Sequence, residues 1–319
     1  MRPLVNHIER KVLMERAKRE TFPRRILSFY RYMHIDDPAT LRDDLYKSWH
    51  ALHIFGRIYV STEGYNAQMS VPEHNWEEFE TNIRQFPVFK DVFFNFAVEP
   101  KPFAFFKLDI RNRKRLVVDG LPDGFMENST PGPHLEPHEF HEMVGQKDVV
   151  VVDARNGYEC LIGHFENAIK PTSKTFSKVL PELKEKLQDM KSKKIIMYCT
   201  GGIRCEKASA YLKKDGFENV FQLKNGIVNY LRHVKENQID SKFKGSNYVF
   251  DERMAEGTNA EKLANCRHCN TPHQIHSNCG HIHCHILMVQ CPSCAEKFDG
   301  CCSESCIEHK NKIESKSNS

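Results

Sequence analysis

The sequence predicts a multidomain chain of mixed class: α+β in its first third, α/β in its centre, and a small cysteine-rich tail. Three observations carry this. Up to Val98 the pattern alternates in the order βαββαβ. Asp148-Val149-Val150-Val151-Val152-Asp153 is a continuous apolar run, the mark of a parallel strand buried on both faces. Nine of the 12 cysteines crowd between Cys266 and Cys306.

At 319 residues the chain has room for two or three domains, and a net charge of +4 decides little about partners. No run of about 18 apolar residues occurs, so no helical membrane span is expected. The N-terminus lacks an apolar signal core, which points to a cytoplasmic protein. In a reducing cytosol such thiols read as reactive or metal-binding groups rather than disulfides.

Residues 1–24 form a basic extension. Residues 2–34 carry nine Lys/Arg against three Glu, and Val5, Ile8 and Val12 share a helical face over Ile8–Lys18. Residues 25–118 then give a strand over Ile26–Met33, a helix over Pro38–Leu52 opened by Asp37-Pro38, and a strand over Arg57–Ser61. A turn at Glu63–Asn66, a strand over Ala67–Val71, a helix over Glu73–Gln85 and a strand over Val92–Val98 complete the unit. That order is the ferredoxin-like split βαβ fold. Phe103, Phe105 and Phe106 interleave with Lys101 and Lys107, and Arg111, Arg113, Lys114 and Arg115 follow. Aromatics that stack bases beside cations that meet phosphates suit single-stranded RNA. With Arg24 and Arg25, these cations are the candidate RNA contacts; a solvated or packed face is the plain alternative.

Gly and Pro punctuate Asp119–Pro137, which reads as a linker or an irregular connection. Residues 138–240 form a doubly wound parallel sheet: a helix over Glu136–Val144, the strand ending at Asp153, helices within Thr175–Lys191, a strand over Lys194–Tyr198, and a last strand at Asn219–Leu223 leading to a helix through His233. Asp153 and Arg155 are expected to pair structurally. His164 is expected to satisfy a local hydrogen bond, and Cys160 to be a buried thiol.

Between the Tyr198 strand and the next helix stands Cys199-Thr200-Gly201-Gly202-Ile203-Arg204-Cys205. The Gly pair lets successive N–H groups point inward, and the helix start adds positive potential, so the loop favours a thiolate. Cys205 could resolve a persulfide on Cys199, or simply pack. The C-x4-R spacing is one residue shorter than the phosphate loop of cysteine phosphatases. It resembles the six-residue loop of the rhodanese family, where the cysteine carries a sulfane sulfur. Asp153-x-Arg155, Gly163-His164…Ala168-Ile169 and Leu223-x-x-Gly226-Ile227 match that family too, with Asn225 and Tyr230 as departures.

In the tail, 241–309, Cys266-x2-Cys269 and Cys291-x2-Cys294 are separated by 21 residues, a tetrahedral zinc spacing. Cys279, Cys284, Cys301, Cys302 and Cys306 could complete a second site, with neighbouring histidines as further donors. A small segment of this kind needs a metal to fold. Residues 310–319 are polar and expected to be disordered.

The whole resembles the bacterial tRNA uridine(34) hydroxylase family. The resemblance rests on Tyr198-Cys199-Thr200-Gly201-Gly202-Ile203-Arg204-Cys205-Glu206-Lys207-Ala208, Gly245-Ser246-Asn247-Tyr248-Val249-Phe250-Asp251-Glu252-Arg253-Met254, Gln290–Lys297 and Gly300–Glu304. It implies 5-hydroxylation of the first anticodon uridine, with molecular oxygen as co-substrate, the tRNA anticodon stem-loop as partner, and Cys199 as the essential, persulfide-forming residue. Bottom-up chemistry adds a route: the Cys199 sulfur adds to uracil C6, while Arg204 and the loop amides steady charge on O4. No Rossmann, flavin or non-haem iron pattern is present, so the electron donor and any redox or sulfur-donor partner stay unassigned. Two other readings remain open: a sulfurtransferase working through a Cys199 persulfide, and a non-catalytic RNA-binding adaptor.

Overall fold

The computed structural model describes residues 4, 6, 8–99, 103–257 and 261–317. Helix α1 (Arg10–Lys18) is the expected basic helix, but it buries Leu13 and Ala17. Ile8 and Val12 stay exposed, and Val5 lies outside the described residues. The orientation is set by cation–π contacts, Arg10 over Phe106 and Lys18 over Phe103, rather than by an apolar stripe.

Elements β1 (Arg24–Tyr32), α2 (Pro38–Ala51), β2 (Phe55–Ser61), β3 (Gly64–Pro72), α3 (Trp76–Arg84) and β4 (Asn95–Phe96) follow the expected order. Asp37 caps α2, its Oδ1 accepting from the Ala39 and Thr40 N–H groups at 3.1 and 2.9 Å. The β2–β3 turn is tighter than expected, because Gly64 at φ +130° already pairs with Ser61. An unanticipated strand, β5 (Leu108–Asn112), pairs parallel to β2 and gives the sheet order β4-β1-β3-β2-β5. This strand takes up much of the stretch read as an RNA surface. Leu108 and Ile110 enter the core, Phe105 packs on Ile26, and Lys101 lies outside the described residues.

One face of this sheet carries Leu27, Phe29, Ile58, Val60, Ala67 and Met69 onto Trp49 and Phe79 of α2 and α3. Strand alternation turns Ser28, Tyr30, Asn66 and Gln68 to the other face. That face fronts the second domain.

The central domain runs β6 (His134–Leu135), α4 (Pro137–Met143), β7 (Val149–Asp153), α5 (Gly157–Ile162), β8 (Gly163–Phe165), α6 (Phe176–Lys186), β9 (Lys194–Tyr198), α7 (Ile203–Lys214), β10 (Val220–Leu223) and α8 (Gly226–Asn237). Strands β6-β10-β9-β7 form an all-parallel sheet. Helices α6 and α7 cover one face and α4 and α8 the other, so the domain is doubly wound. The Asp153–Arg155 pair is fully buried at 2.6 Å, and Arg155 Nη2 also donates to the Gly163 carbonyl.

Three expectations about connections are corrected. The 119–137 stretch is packed rather than a free linker: Asp119 is buried, the Gly132 N–H donates to Ser209 Oγ, and β6 extends the sheet. The chain beyond 240 still belongs to the central core, because β11 (Phe243–Gly245) pairs with β8 and buries Phe243. It continues through β12 (Asn247–Tyr248) and β13 (Ala255–Glu256). The cysteine-rich segment holds β14 (Ala264–Asn265), β15 (Pro272–His273), β16 (His276–Asn278), β17 (Leu287–Val289), α9 (Pro292–Lys297) and α10 (Glu304–Ser317). Helix α10 replaces the disorder expected over 310–317, with Lys310 paired to Asp299 of the cysteine-rich segment; 318 and 319 lie outside the described residues. No helix among the described residues is long and apolar enough to cross a membrane.

The two large domains dock through α7. Lys207 Nζ is buried and sits 2.8 Å from Glu63 of the β2–β3 turn and 2.5 Å from Asp119. Tyr30 and Tyr32 of β1 add hydroxyl bonds to Glu206 Oε1 and the Ile203 carbonyl. Lys207→Ala removes the cation between two carboxylates, one of them fully buried. It is expected to cost about 3–5 kcal/mol, read as a lower urea midpoint.

Candidate active site

Cys199 leaves the carboxyl end of β9, where doubly wound folds place ligands. The loop curls because Gly202 adopts φ +102°, and a side chain there would also strike the Tyr30 hydroxyl at 2.6 Å. Only the second glycine of the pair is needed for the curl; Gly201 has an ordinary φ. Below the loop, Gly226 at φ +67° lies against the Cys199 and Thr200 carbonyls, 2.5 and 2.6 Å from where a Cβ would stand. Asn225 takes the left-handed conformation at φ +57°, so this departure from the rhodanese pattern is accommodated.

The Gly202 N–H donates to Cys199 Sγ at 3.1 Å. Burial by itself would raise the thiol pKa. The Cys205 thiol, the Arg204 charge and the Cys205 and Arg204 N–H groups outweigh it and bring Cys199 down to about 6. The sulfur is therefore an anion at neutral pH. Cys205 is also fully buried, and burial together with the neighbouring Cys199 anion pushes its thiol well up. It serves as a hydrogen-bond partner of Cys199 within the α7 core. Cys160, also raised by burial, stays a protonated core thiol, and His164 Nδ1 meets the Cys160 carbonyl at 3.0 Å, both as expected.

Arg204 does not face the cleft as a free cation. Its Nη1 and Nη2 grip Glu159 at 2.5 and 2.8 Å, and Nη2 also reaches Thr200 Oγ1. Both terminal nitrogens of Arg204 thus carry hydrogen bonds within the protein, while the Gly202 N–H points at the Cys199 sulfur. Sequence reading missed Glu159. It lies three residues past Asn156, reads as an ordinary capping box, and does accept the Asn156 N–H.

The loop floors a cleft of about 700 Å³. Its walls are the polar face of the first sheet (Ser28, Tyr30, Asn66, Gln68, Asn95), Lys174–Ser177, and Phe250–Arg253 of the chain beyond β12. Cys199 is fully buried at its base, whereas Thr200, Gly201 and Ile203 are partly open. Strand alternation was the sequence signal for the first wall; that the face is turned toward the loop was not written in it.

The candidate RNA contacts divide. Arg24 is buried, bound to Glu20 and to the His53 and Ser70 carbonyls, and is corrected to a structural residue. Arg25 pairs with Glu73, Arg111 with Asp109, Lys114 with Asp123, and Arg115 with Asp119 and Asp123. Lys107 is half-buried beside β5. Arg113 is exposed at the cleft, stacked over Tyr59 and without an acidic partner among the described residues. Arg57 and Lys174, not singled out earlier, join it there.

The tail thiols gather into two groups, Cys266/Cys269/Cys291/Cys294 and Cys279/Cys284/Cys302/Cys306, with all sulfurs of a group within 4.8 Å of one another. Measured contacts of 3.5–3.6 Å suit the sulfur edge of about 3.8 Å that Zn–S bonds of about 2.3 Å imply. Backbone N–H groups of Cys291 and Cys302 donate to Cys266 and Cys279 Sγ, which favours thiolates. All-sulfur tetrahedral sets fit zinc. Cys301 is corrected: it is fully buried outside both groups, and no histidine joins either group among the described residues.

Because the Cys199 thiolate forms as pH rises through about 6, its labelling by a small alkylating agent should reach a plateau near neutrality. An ordinary cysteine would keep gaining rate up to about pH 8.5. Peptide mass spectrometry after timed quenching from pH 5 to 9 reads the midpoint.

Family models match three segments: the UPF0176 acylphosphatase-like domain over 24–116, the rhodanese-like domain over 136–233, and the rhodanese C-terminal domain over 244–307. A Leptospira interrogans protein named tRNA uridine(34) hydroxylase is 46% identical over 305 residues, covering 96% of this chain and 83% of its own. Proteins of the same name from Cronobacter sakazakii and Yersinia enterocolitica are 45% and 44% identical over 306 residues, covering 96% of this chain and 88% and 87% of theirs. With a rhodanese loop holding a thiolate beneath an acylphosphatase-like sheet, and with identity of this level along almost its whole length, the chain belongs to the tRNA uridine(34) hydroxylase family.

Proposed function

We infer that the protein hydroxylates uridine 34 of tRNA at C5. The observation that carries this reading is the position of Cys199, an anionic sulfur at the floor of a cleft whose facing wall is a second domain. A thiosulfate-sized substrate needs no such wall; a nucleotide does. The anticodon loop is single-stranded, so its first base can turn out into the cleft at small cost in stacking. Arg113, Arg57 and Lys174 at the cleft supply cations for the flanking phosphates, and half-exposed Phe93 offers a stacking face.

Replacing C5–H by C5–OH is a two-electron oxidation. With molecular oxygen as co-substrate, one oxygen atom enters the base and the other leaves as water, with two electrons and two protons from a donor. Addition of the Cys199 sulfur, as thiolate or persulfide, to uracil C6 would make C5 nucleophilic toward oxygen; elimination then restores the ring. The loop amides stabilise the sulfur anion before addition and after release. Glu159 orients Arg204, whose charge favours the thiolate without touching the base.

The rhodanese-type loop keeps one rival alive, transfer of sulfane sulfur through a Cys199 persulfide. Nucleoside mass spectrometry of tRNA from cells lacking the protein, restored with wild type or Cys199→Ser, separates the two. Loss of 5-hydroxyuridine derivatives, restored by wild type in air but not by Cys199→Ser, is the expected result. Unchanged 5-hydroxyuridine together with a fall in thiolated nucleosides would favour sulfur transfer.

The two thiol groups would each hold one structural zinc, whose binding supplies folding free energy to a segment with little apolar core. Purified protein is expected to carry about two zinc equivalents by elemental analysis. Cys266→Ser and Cys279→Ser should each lose one, and Cys301→Ser should keep both.

A further inference from the structure

We propose that Asn95 reads the N3–H of the target uracil and so selects uridine over cytidine at the reacting position; this rests on the reading of the cleft as a uridine site. Asn95 is 4% exposed, lies on β4, and lines the same cleft as Cys199. Its Nδ2 donates to the Asn225 carbonyl at 2.8 Å. A carbonyl can only accept, so this bond fixes which way the amide points. The other end, Oδ1, is buried and has no hydrogen-bond partner among the described residues. A buried acceptor left unpaired is costly and asks for an explanation, and a site awaiting its ligand supplies one.

The surroundings link Asn95 to the segment that supports the reactive loop. Asn225 directly precedes Gly226, which packs on the Cys199 and Thr200 carbonyls. The Ile227 N–H donates to the Cys199 carbonyl at 2.9 Å. On the other side, Asn95 pairs across the sheet with Ser28, whose Oγ lies 4.0 Å from where a Cβ on Gly201 would stand. Asn95 thus belongs to the first domain but is tied to the segment that supports the reactive loop of the second.

Asn156 also lines the cleft, with its side chain facing the α5 N-terminus as part of a capping box. Its amide, however, is oriented by the Tyr158 hydroxyl, which can donate or accept, so it does not define an acceptor as Asn95 does. An acceptor fixed by the backbone discriminates between pyrimidines. Uracil presents N3–H to it, whereas cytosine presents a lone pair at the same place. Asn95 Oδ1 and Cys199 are both covered in this structure, so an incoming base must part the cleft to reach either.

The test is binding of the full-length protein to fluorescent anticodon stem-loops identical except at position 34: uridine, cytidine or 3-methyluridine. Wild type is expected to bind the uridine form about tenfold or more tightly than either of the others, the scale of one buried acceptor left unpaired. Asn95→Ala should lose affinity for uridine and bring all three within about threefold of one another, with an unchanged thermal midpoint certifying the fold. The 3-methyluridine arm uses unaltered protein and stands even if the variant misfolds. Equal binding of uridine and cytidine or 3-methyluridine by wild type, or an Asn95→Ala variant keeping the wild-type uridine/cytidine ratio, overturns the assignment. The uridine-34 reading fails separately, by loss of all stem-loop binding or by 5-hydroxyuridine that persists in cells without the protein.

Discussion

The docking of the two large domains turns on one buried cation among several in the chain. Lys207, one turn beyond the reactive loop on α7, is held by Glu63 from the first domain and Asp119 from the connecting stretch. An ammonium removed from water is tolerated only when its attractions are close and well aimed. That requirement pins the β2–β3 turn, the entry to the connection and the helix behind the loop to one another. Tyr30 and Tyr32 then close onto Glu206 and Ile203, and Tyr30 fills the space that only a glycine at 202 leaves open. Reactive loop and facing sheet become one device, and the cleft between them is its product.

Within that device, charge is assigned by geometry rather than by residue type. Arg204 and Glu159 neutralise one another, leaving the loop amides as the immediate partners of Cys199. The arginine's charge acts on the sulfur and lowers its pKa. Cys205, six residues on from Cys199 at the start of α7, keeps its proton because burial and the adjacent anion both oppose a second charge. Two cysteines in one short loop thus have opposite pKa shifts.

The tail is joined to this centre by contact as well as by chain. His276 of β16 packs against Tyr158 and Tyr248, and Tyr158 adjoins Glu159 on α5. The cysteine groups that order the tail therefore stand behind the helix that orients Arg204. Phe250 adds a ring under the Arg204 guanidinium and lines the cleft.

Much of this was legible in the sequence. Periodicity and caps determined the order of elements through both large domains, because apolar spacing and turn chemistry are local properties. Cysteine spacing determined the first thiol group, and the short glycine loop before a helix determined the thiolate. What failed were the judgements that depend on a partner distant in the chain. Arg24 and Arg204 read as available cations, yet each is claimed by a carboxylate the sequence does not mark. The 103–115 stretch, read as a candidate RNA face, also supplies β5 beside β2 and the aromatics over which α1 folds. The exclusion of Cys301, the helix at the chain's end and the cleft wall of Ser28, Tyr30 and Asn95 were decided by packing alone. Local chemistry sets what each residue is able to do; burial and pairing across the chain decide which of them is left free to do it.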